Sequence, residues 1–229
     1  MRSALLGICY GNDFRKLRKM VELSTRITHT DIKAENGALA IALAAYMSST
    51  EHITSPESYF KKLNELLPGT DCLSFLKTME SVIESVNKDE STFDSCDNIG
   101  LSKGISGYVY HTVPAVIHCW LRNQDDFKSG MHQIMGCGGD TDTTAAILGS
   151  IIGAKVHRTG IPEDWSSKVI LWPYSMKFID NICNAVYESL VCRKPIKVKQ
   201  PNVLLVLVRN ILCYPIIIYH VLRRMIPPY

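Results

Sequence analysis

Gly136-Cys137-Gly138-Gly139-Asp140-Thr141-Asp142-Thr143-Thr144 runs without a break into Ala145-Ala146-Ile147-Leu148-Gly149-Ser150-Ile151-Ile152-Gly153-Ala154, a glycine-rich turn feeding an apolar helix of small residues. The glycines open backbone conformations closed to other residues, and Asp140, Asp142 and Thr143 set side-chain oxygens where the turn becomes helical. These oxygens admit two readings. Carboxylates two residues apart in a turn converge on a hard cation such as magnesium or calcium. Asp and Thr are equally ordinary N-cap residues, favoured at a helix start by its dipole with no metal involved. Spacing alone leaves both standing.

Outward from this turn the chain reads as helical. Asp125 to Met135 leads into the motif as a short helix, and Ile161-Pro162-Glu163-Asp164-Trp165 starts another with proline in its first turn. Ser106 to Leu121 is a helix expected to kink at Pro114. Further upstream, Asp13 to Thr28 spaces Phe14, Leu17, Met20, Val21 and Leu23 near the helical period among basic residues. Ile32 to Met47 is dense in alanine, which lets neighbouring helices approach closely and places this segment in the interior of a bundle. Ser48 to Ser58 reads as a loop, Ser58 to Leu67 as a short helix stopped by Pro68-Gly69, Asp71 to Val86 as an amphipathic helix, and polar Asn87 to Gly104 as a long loop. No alternating apolar runs are joined by a hairpin turn, so the expected class is all-α, a multi-helix bundle.

Composition fits one sizeable globular body: 229 residues, 46% hydrophobic and 21% charged. The eight cysteines include no C-x-x-C pair, so neither a zinc site nor a disulfide framework is signalled, and reduced thiols in a cytoplasmic protein are expected. Met1 to Gly7 carries one positive charge and too short an apolar run for a secretory signal. Charge is uneven. From Arg193 onward there are seven Lys or Arg and no Asp or Glu, leaving 18 basic residues against all 22 acidic ones in the rest. We therefore divide the chain into a helical domain, 1–192, and a basic, hydrophobic tail, 193–229. The tail gives no specific nucleic-acid signal, because its basic residues flank aliphatic runs without interleaved aromatics. Its apolar run is interrupted by Arg209-Asn210 and by Pro215, short of the ~20 uninterrupted residues of a typical membrane span. Peripheral membrane contact through 201–229 as an interfacial helix, or packing against the body or a second chain, ranks above a true span.

Gly138-Gly139-Asp140-Thr141-Asp142-Thr143, with Ala145-Ala146-Ile147-Leu148-Gly149 after it and Ile161-Pro162-Glu163-Asp164-Trp165 closing it, resembles the carboxy-terminal signature of the ADP-ribosylglycohydrolase family, which includes the dinitrogenase reductase activating glycohydrolases. Met1-Arg2-Ser3-Ala4 resembles that family's Ala-Met-Arg segment and Thr28-His29 its Thr-His segment. Ser106-Gly107-Tyr108-Val109 through Pro114-Ala115 resembles the helix before its metal motif. The resemblance covers roughly residues 1 to 190. It implies an all-α orthogonal bundle around two magnesium ions, hydrolysing the bond between the anomeric carbon of ADP-ribose and a protein side chain or small acceptor. By the same resemblance Asp140, Asp142 and Thr143 are metal ligands, and Arg2, Ser3, His29, Gly138 and Gly139 contact substrate. His29 as a helix cap and Arg2 as a solvated terminal residue are the bland alternatives.

The family's Gly-Asp-rich first helix and its Thr-Asp-Asp stretch have no counterpart here, so the expected form is amino-terminally truncated and about half of the magnesium shell is missing. Asp31, Asp89, Glu90, Asp94, Asp97, Asp125 and Asp126 are the carboxylates available to substitute, Asp31 foremost, and no general base is identified. Two alternatives to a hydrolase therefore stand: an inert ADP-ribose-binding remnant or fragment of a longer chain, and a membrane-associated helical module. The sequence leaves the oligomeric state open.

Overall fold

In a computed structural model, residues 1–67 and 69–226 are described, Thr70 by its backbone alone. The chain divides into two compact units, Met1–Ser166 and Ser167–Tyr229. The first contains α1 (Ser3–Tyr10), α2 (Phe14–Arg26), α3 (Ile32–Thr50), α4 (Pro56–Leu66), α5 (Leu73–Asn87), α6 (Thr92–Asn98), α7 (Val109–Arg122), α8 (Phe127–Gly136), α9 (Thr141–Val156) and α10 (Glu163–Ser166). The second contains α11 (Met176–Cys192) and α12 (Val203–Met225). Among the described residues there is no strand, and the expected all-α class holds; an isolated parallel bridge joins Ile105 and Gly139.

The alanine-rich α3 is the axis of the first unit and packs against α1, α2, α4, α7 and α9. Eleven of its nineteen residues are buried. Small side chains make this possible from both sides: a methyl group built on Gly7 of α1 would lie 1.8 Å from the Ala42 carbonyl oxygen, and one on Gly37 of α3 would lie 2.2 Å from Val109 of α7. The other core elements follow ordinary start signals. Asp13, Asp31, Ser55 and Ser91 each accept a hydrogen bond from a backbone N–H in the first turn of α2, α3, α4 and α6.

Two boundaries differ from the sequence reading. α3 continues through Ser48–Thr50, read as loop, because polar side chains here satisfy themselves: Ser48 Oγ donates to the Ile151 carbonyl at 2.8 Å, and Ser49 and Thr50 both fold back onto the Tyr46 carbonyl. The segment read as the long loop Asn87–Gly104 contains α6. Its start is a reciprocal cap in which Asp94 N–H donates to Ser91 Oγ and Ser91 Oγ–H donates to Asp94 Oδ2. α7 runs continuously through Pro114, whose missing N–H leaves the Tyr110 carbonyl without its helical donor. Pro68, part of the expected stop after α4, lies outside the described residues.

In the second unit α12 is one helix of 23 residues that runs through Arg209-Asn210 and Pro215. The interruption read from the sequence is therefore a break in polarity and not in backbone, since Arg and Asn both sit comfortably in a helix. By length and composition alone α12 is long and apolar enough to cross a membrane. Pro227, Pro228 and Tyr229, the end of the tail, lie outside the described residues.

Candidate functional site

The glycine-rich turn folds as the sequence requires. Gly138 and Gly139 adopt φ of 70° and 80°, a left-handed backbone that favours glycine. Gly139 is also sterically fixed, because a Cβ there would lie 2.1 Å from the Ile105 carbonyl oxygen. The turn is clipped to the loop before α7 by two backbone bonds, Ile105 N–H to the Gly138 carbonyl at 3.1 Å and Asp140 N–H to the Ile105 carbonyl at 2.7 Å. Gly138 and Gly139 thus shape the backbone. Gly104 and Ile105 are partners that the sequence reading passed over; a Gly104 Cβ would lie 2.8 Å from the Gly139 nitrogen.

The side-chain cap that one reading expects of Asp140 is not made: Asp140 occupies the N-cap position of α9, yet its carboxylate makes no capping bond. Neither the Asp140 nor the Asp142 carboxylate has a hydrogen-bond or ion-pair partner among the described residues. The work inside this first turn falls instead to Thr144, fully buried, whose hydroxyl donates to the Asp140 carbonyl at 3.0 Å. Asp140, Asp142 and Thr143 stand at the positive end of α9 with side-chain oxygens of the hard kind that divalent cations take. Among the described residues no group of three or more His, Cys, Asp or Glu side chains converges on one point, so these residues fill only part of an octahedral shell. The carboxylates weighed as substitutes are mostly engaged elsewhere. Asp31 and Asp126 cap α3 and α8, Asp89 pairs with Arg122, Glu90 accepts from Ser85 and Asn98, Asp94 accepts from Ser91, and Asp125 pairs with Lys155.

A cleft of about 500 Å³ opens beside the turn. Arg2, Ser3, His29 and Thr143 all line it. Asp140 stands behind its Gly107 wall, with Oδ2 3.1 Å from where a Gly107 Cβ would be. Four helices present their amino-terminal residues to this space: Arg2 and Ser3 of α1, Asp31 and Ala34 of α3, Tyr108 and Val109 of α7, and Thr143 of α9. The positive ends of helices attract anions. The convergence has no signature in local sequence, since it arises only when the helices pack.

Arg2 is exposed but held in place. Its Nη2 donates to the Ser24 carbonyl at 3.0 Å and to Thr28 Oγ1 at 2.9 Å, which uses two of its five N–H donors and leaves the others for a ligand. Thr28 Oγ1 also lies 2.8 Å from His29 Nδ1, so Arg2, Thr28 and His29 form one chain along the wall. His29 is no helix cap, because Asp31 fills that role for α3 by accepting from Lys33 N–H at 2.9 Å. At the rim the half-exposed Tyr108 ring lies 5.7 Å from the Lys33 ammonium, and hydrogen bonding to the Tyr108 phenol raises the Lys33 pKa above its ordinary value.

In the Ile161–Trp165 stretch, Trp165 meets the rings of Phe127 and His132 on α8 at 6.4 and 5.6 Å. Cys137, next to the turn, donates to the Gln133 carbonyl at 3.4 Å. Interaction between the Cys96 and Cys137 thiols lowers the Cys137 pKa and, followed by burial, raises that of Cys96.

The chain is similar to known proteins over most of its length. The model of the ADP-ribosylglycohydrolase family matches residues 1–191. The chain is 28% identical over 196 residues to ADP-ribosylhydrolase ARH3 of Homo sapiens, covering 72% of this chain and 51% of that protein. It is 25% identical over 197 residues to an uncharacterized protein of Archaeoglobus fulgidus, covering 82% and 56%. It is also 39% identical over 64 residues to ADP-ribosyl-[dinitrogen reductase] glycohydrolase of Rhodospirillum rubrum, covering 28% and 21%. The chain spans about half the length of the first of these relatives. No solved structure matches it.

Proposed function

The chain belongs to the ADP-ribosylglycohydrolase family, and from that premise we propose that its cleft binds the ADP-ribosyl group of a modified protein or small molecule for hydrolysis of the bond at the anomeric carbon. The observation that carries this reading is the meeting of four helix amino-termini and the anchored Arg2 in a cleft bordered by Thr143 and, behind Gly107, Asp140. A diphosphate is the ligand such a site attracts, and the N–H groups left on Arg2 suit its oxygens. The Tyr108 ring at the rim offers a face on which a purine can stack.

Asp140, Asp142 and Thr143 would hold magnesium, and their free oxygens fit it as a partial shell completed by water or substrate. Bound there, the ion supplies charge stabilisation and orientation of the ribose hydroxyls. Of this chain's own groups, Arg2 and Ser3 position the phosphate and ribose end, and His29 is fixed by Thr28 against the same wall. No residue here is assigned as general base. Because the described carboxylates complete no metal shell, a second reading stands beside the first: the chain binds ADP-ribose and turns it over slowly or not at all.

Calorimetry with ADP-ribose and magnesium tests the binding. Arg2→Ala should weaken affinity by about 10- to 100-fold, the value of a charge-assisted hydrogen bond to phosphate, and Asp142→Ala should remove the magnesium dependence. Absence of heat with the unmodified chain would end the proposal. Release of ADP-ribose from a modified peptide then separates the hydrolase from the binding protein.

A further inference from the structure

We propose that α12 (Val203–Met225) is a membrane-surface helix that lies in the plane of an anionic bilayer. Within its unit no residue of α12 is buried. At 100° per residue Arg209, Asn210, Cys213, His220, Arg223 and Arg224 fall in one sector of about 140°, shared with a few aliphatic residues, and the remaining arc of about 220° is apolar or aromatic throughout. Leu204, Leu207, Ile211, Ile218 and Leu222 run along its middle. An apolar arc this wide exceeds the stripe of roughly 100° that a surface helix buries on a protein core, so a single helical neighbour would leave much of it wet. A bilayer interface covers the whole arc at once.

Charge identifies the kind of surface. Arg193, Lys194, Lys197 and Lys199 precede the helix, Arg209, Arg223 and Arg224 lie on it, and no Asp or Glu occurs from Arg193 onward. Each Lys or Arg near an anionic leaflet adds to the attraction. The polar stripe also decides orientation. A spanning helix would carry Arg209 about 9 Å inward from Val203 at 1.5 Å per residue, whereas a helix lying flat keeps Arg209, His220 and Arg224 together at headgroup level. Asn202 fixes where the helix begins, its side chain accepting from Leu204 N–H at 2.9 Å.

The test is flotation of the full chain with phosphatidylcholine vesicles, with and without phosphatidylserine. We expect co-flotation with the anionic vesicles, weakened by salt, and at least tenfold weaker recovery for the triple variant R209Q/R223Q/R224Q. Ile211→Glu with Ile218→Glu should abolish recovery on both vesicle types. Alkaline carbonate should release the unmodified chain. Equal recovery of the chain in the soluble fraction with both vesicle types overturns the proposal, and so does retention through carbonate, which would mean a spanning helix. Self-association that the Ile211/Ile218 double variant dissolves, without vesicle binding by the unmodified chain, would assign the apolar face to a second copy instead. ADP-ribose calorimetry on the same variants should be unchanged, which separates this result from the fate of the cleft.

Discussion

α3 and α12 are both long, mostly apolar helices, and they end up in opposite circumstances: eleven residues of α3 are buried and none of α12 is. The difference lies in side-chain size and in where the polar residues sit. α3 places Ala38, Ala40, Ala42, Ala44 and Ala45 around its circumference, so α1, α7 and α9 can come close on different sides. α12 carries leucine, isoleucine and valine in a broad arc and gathers its cations on the other side. Apolar content alone therefore does not say whether a helix is core. Small residues invite other helices, while bulky residues facing a basic stripe suit an interface between oil and water.

The sharpest way to break the comparison is to remove the smallness that lets α3 be enclosed. Gly7→Val places a branched side chain where a Cβ already falls 1.8 Å from the Ala42 carbonyl. The obstacle is backbone, so α1 must move off α3. We expect a loss of at least about 3 kcal/mol, the upper part of the range for overpacked sites, read as a lowered midpoint in urea. If Gly7→Val leaves stability within experimental error, the close approach of α1 to α3 is wrong.

A somewhat smaller effect reports how dry the enclosed region is. His118 of α7 is fully buried, with Nε2 3.2 Å from Ser85 Oγ and Nδ1 3.3 Å from Thr92 Oγ1. Burial, aided by the Arg122 charge and opposed by Glu90, lowers its pKa from 6.5 to about 4. The folded state therefore holds this ring neutral while the unfolded chain protonates it. Its contribution is intact above pH 6.5 and is lost progressively as pH falls towards 4, a total of about 3 kcal/mol at roughly 1.4 kcal/mol per pH unit. Chemical denaturation across that window should show the slope in the unmodified chain and a flatter profile in His118→Gln. Equal slopes would mean that water reaches the ring.

The enclosed region was legible in sequence to the extent that its signals are local. The alanine density of α3 and the glycines that shape the turn before α9 both act within a few residues of themselves. α6 was misread as loop because charge density hid the Ser91–Asp94 cap. The candidate site was legible in its residues and not in its assembly. Arg2, Ser3, His29 and Thr143 were named from the family resemblance, and they meet in one cleft only because α1, α2, α3, α7 and α9 pack together. The same packing sets the Gly139 backbone tight against Ile105.

The smallest expected effect tests the open side of the comparison. Ile211 is 56% exposed on the apolar face of α12. In a protein core, Ile→Ala costs about 2–5 kcal/mol through lost burial and the cavity left behind. On a helix face open to solvent in the membrane-free chain neither cost arises, and alanine's better helix propensity offsets what little contact is lost. Ile211→Ala should therefore change the unfolding free energy by less than about 0.5 kcal/mol in solution, while vesicle recovery falls with the lost apolar area. A loss above 1 kcal/mol without lipid would show that protein already covers this face. α12 would then be a second α3, and the bilayer would have no part in its burial.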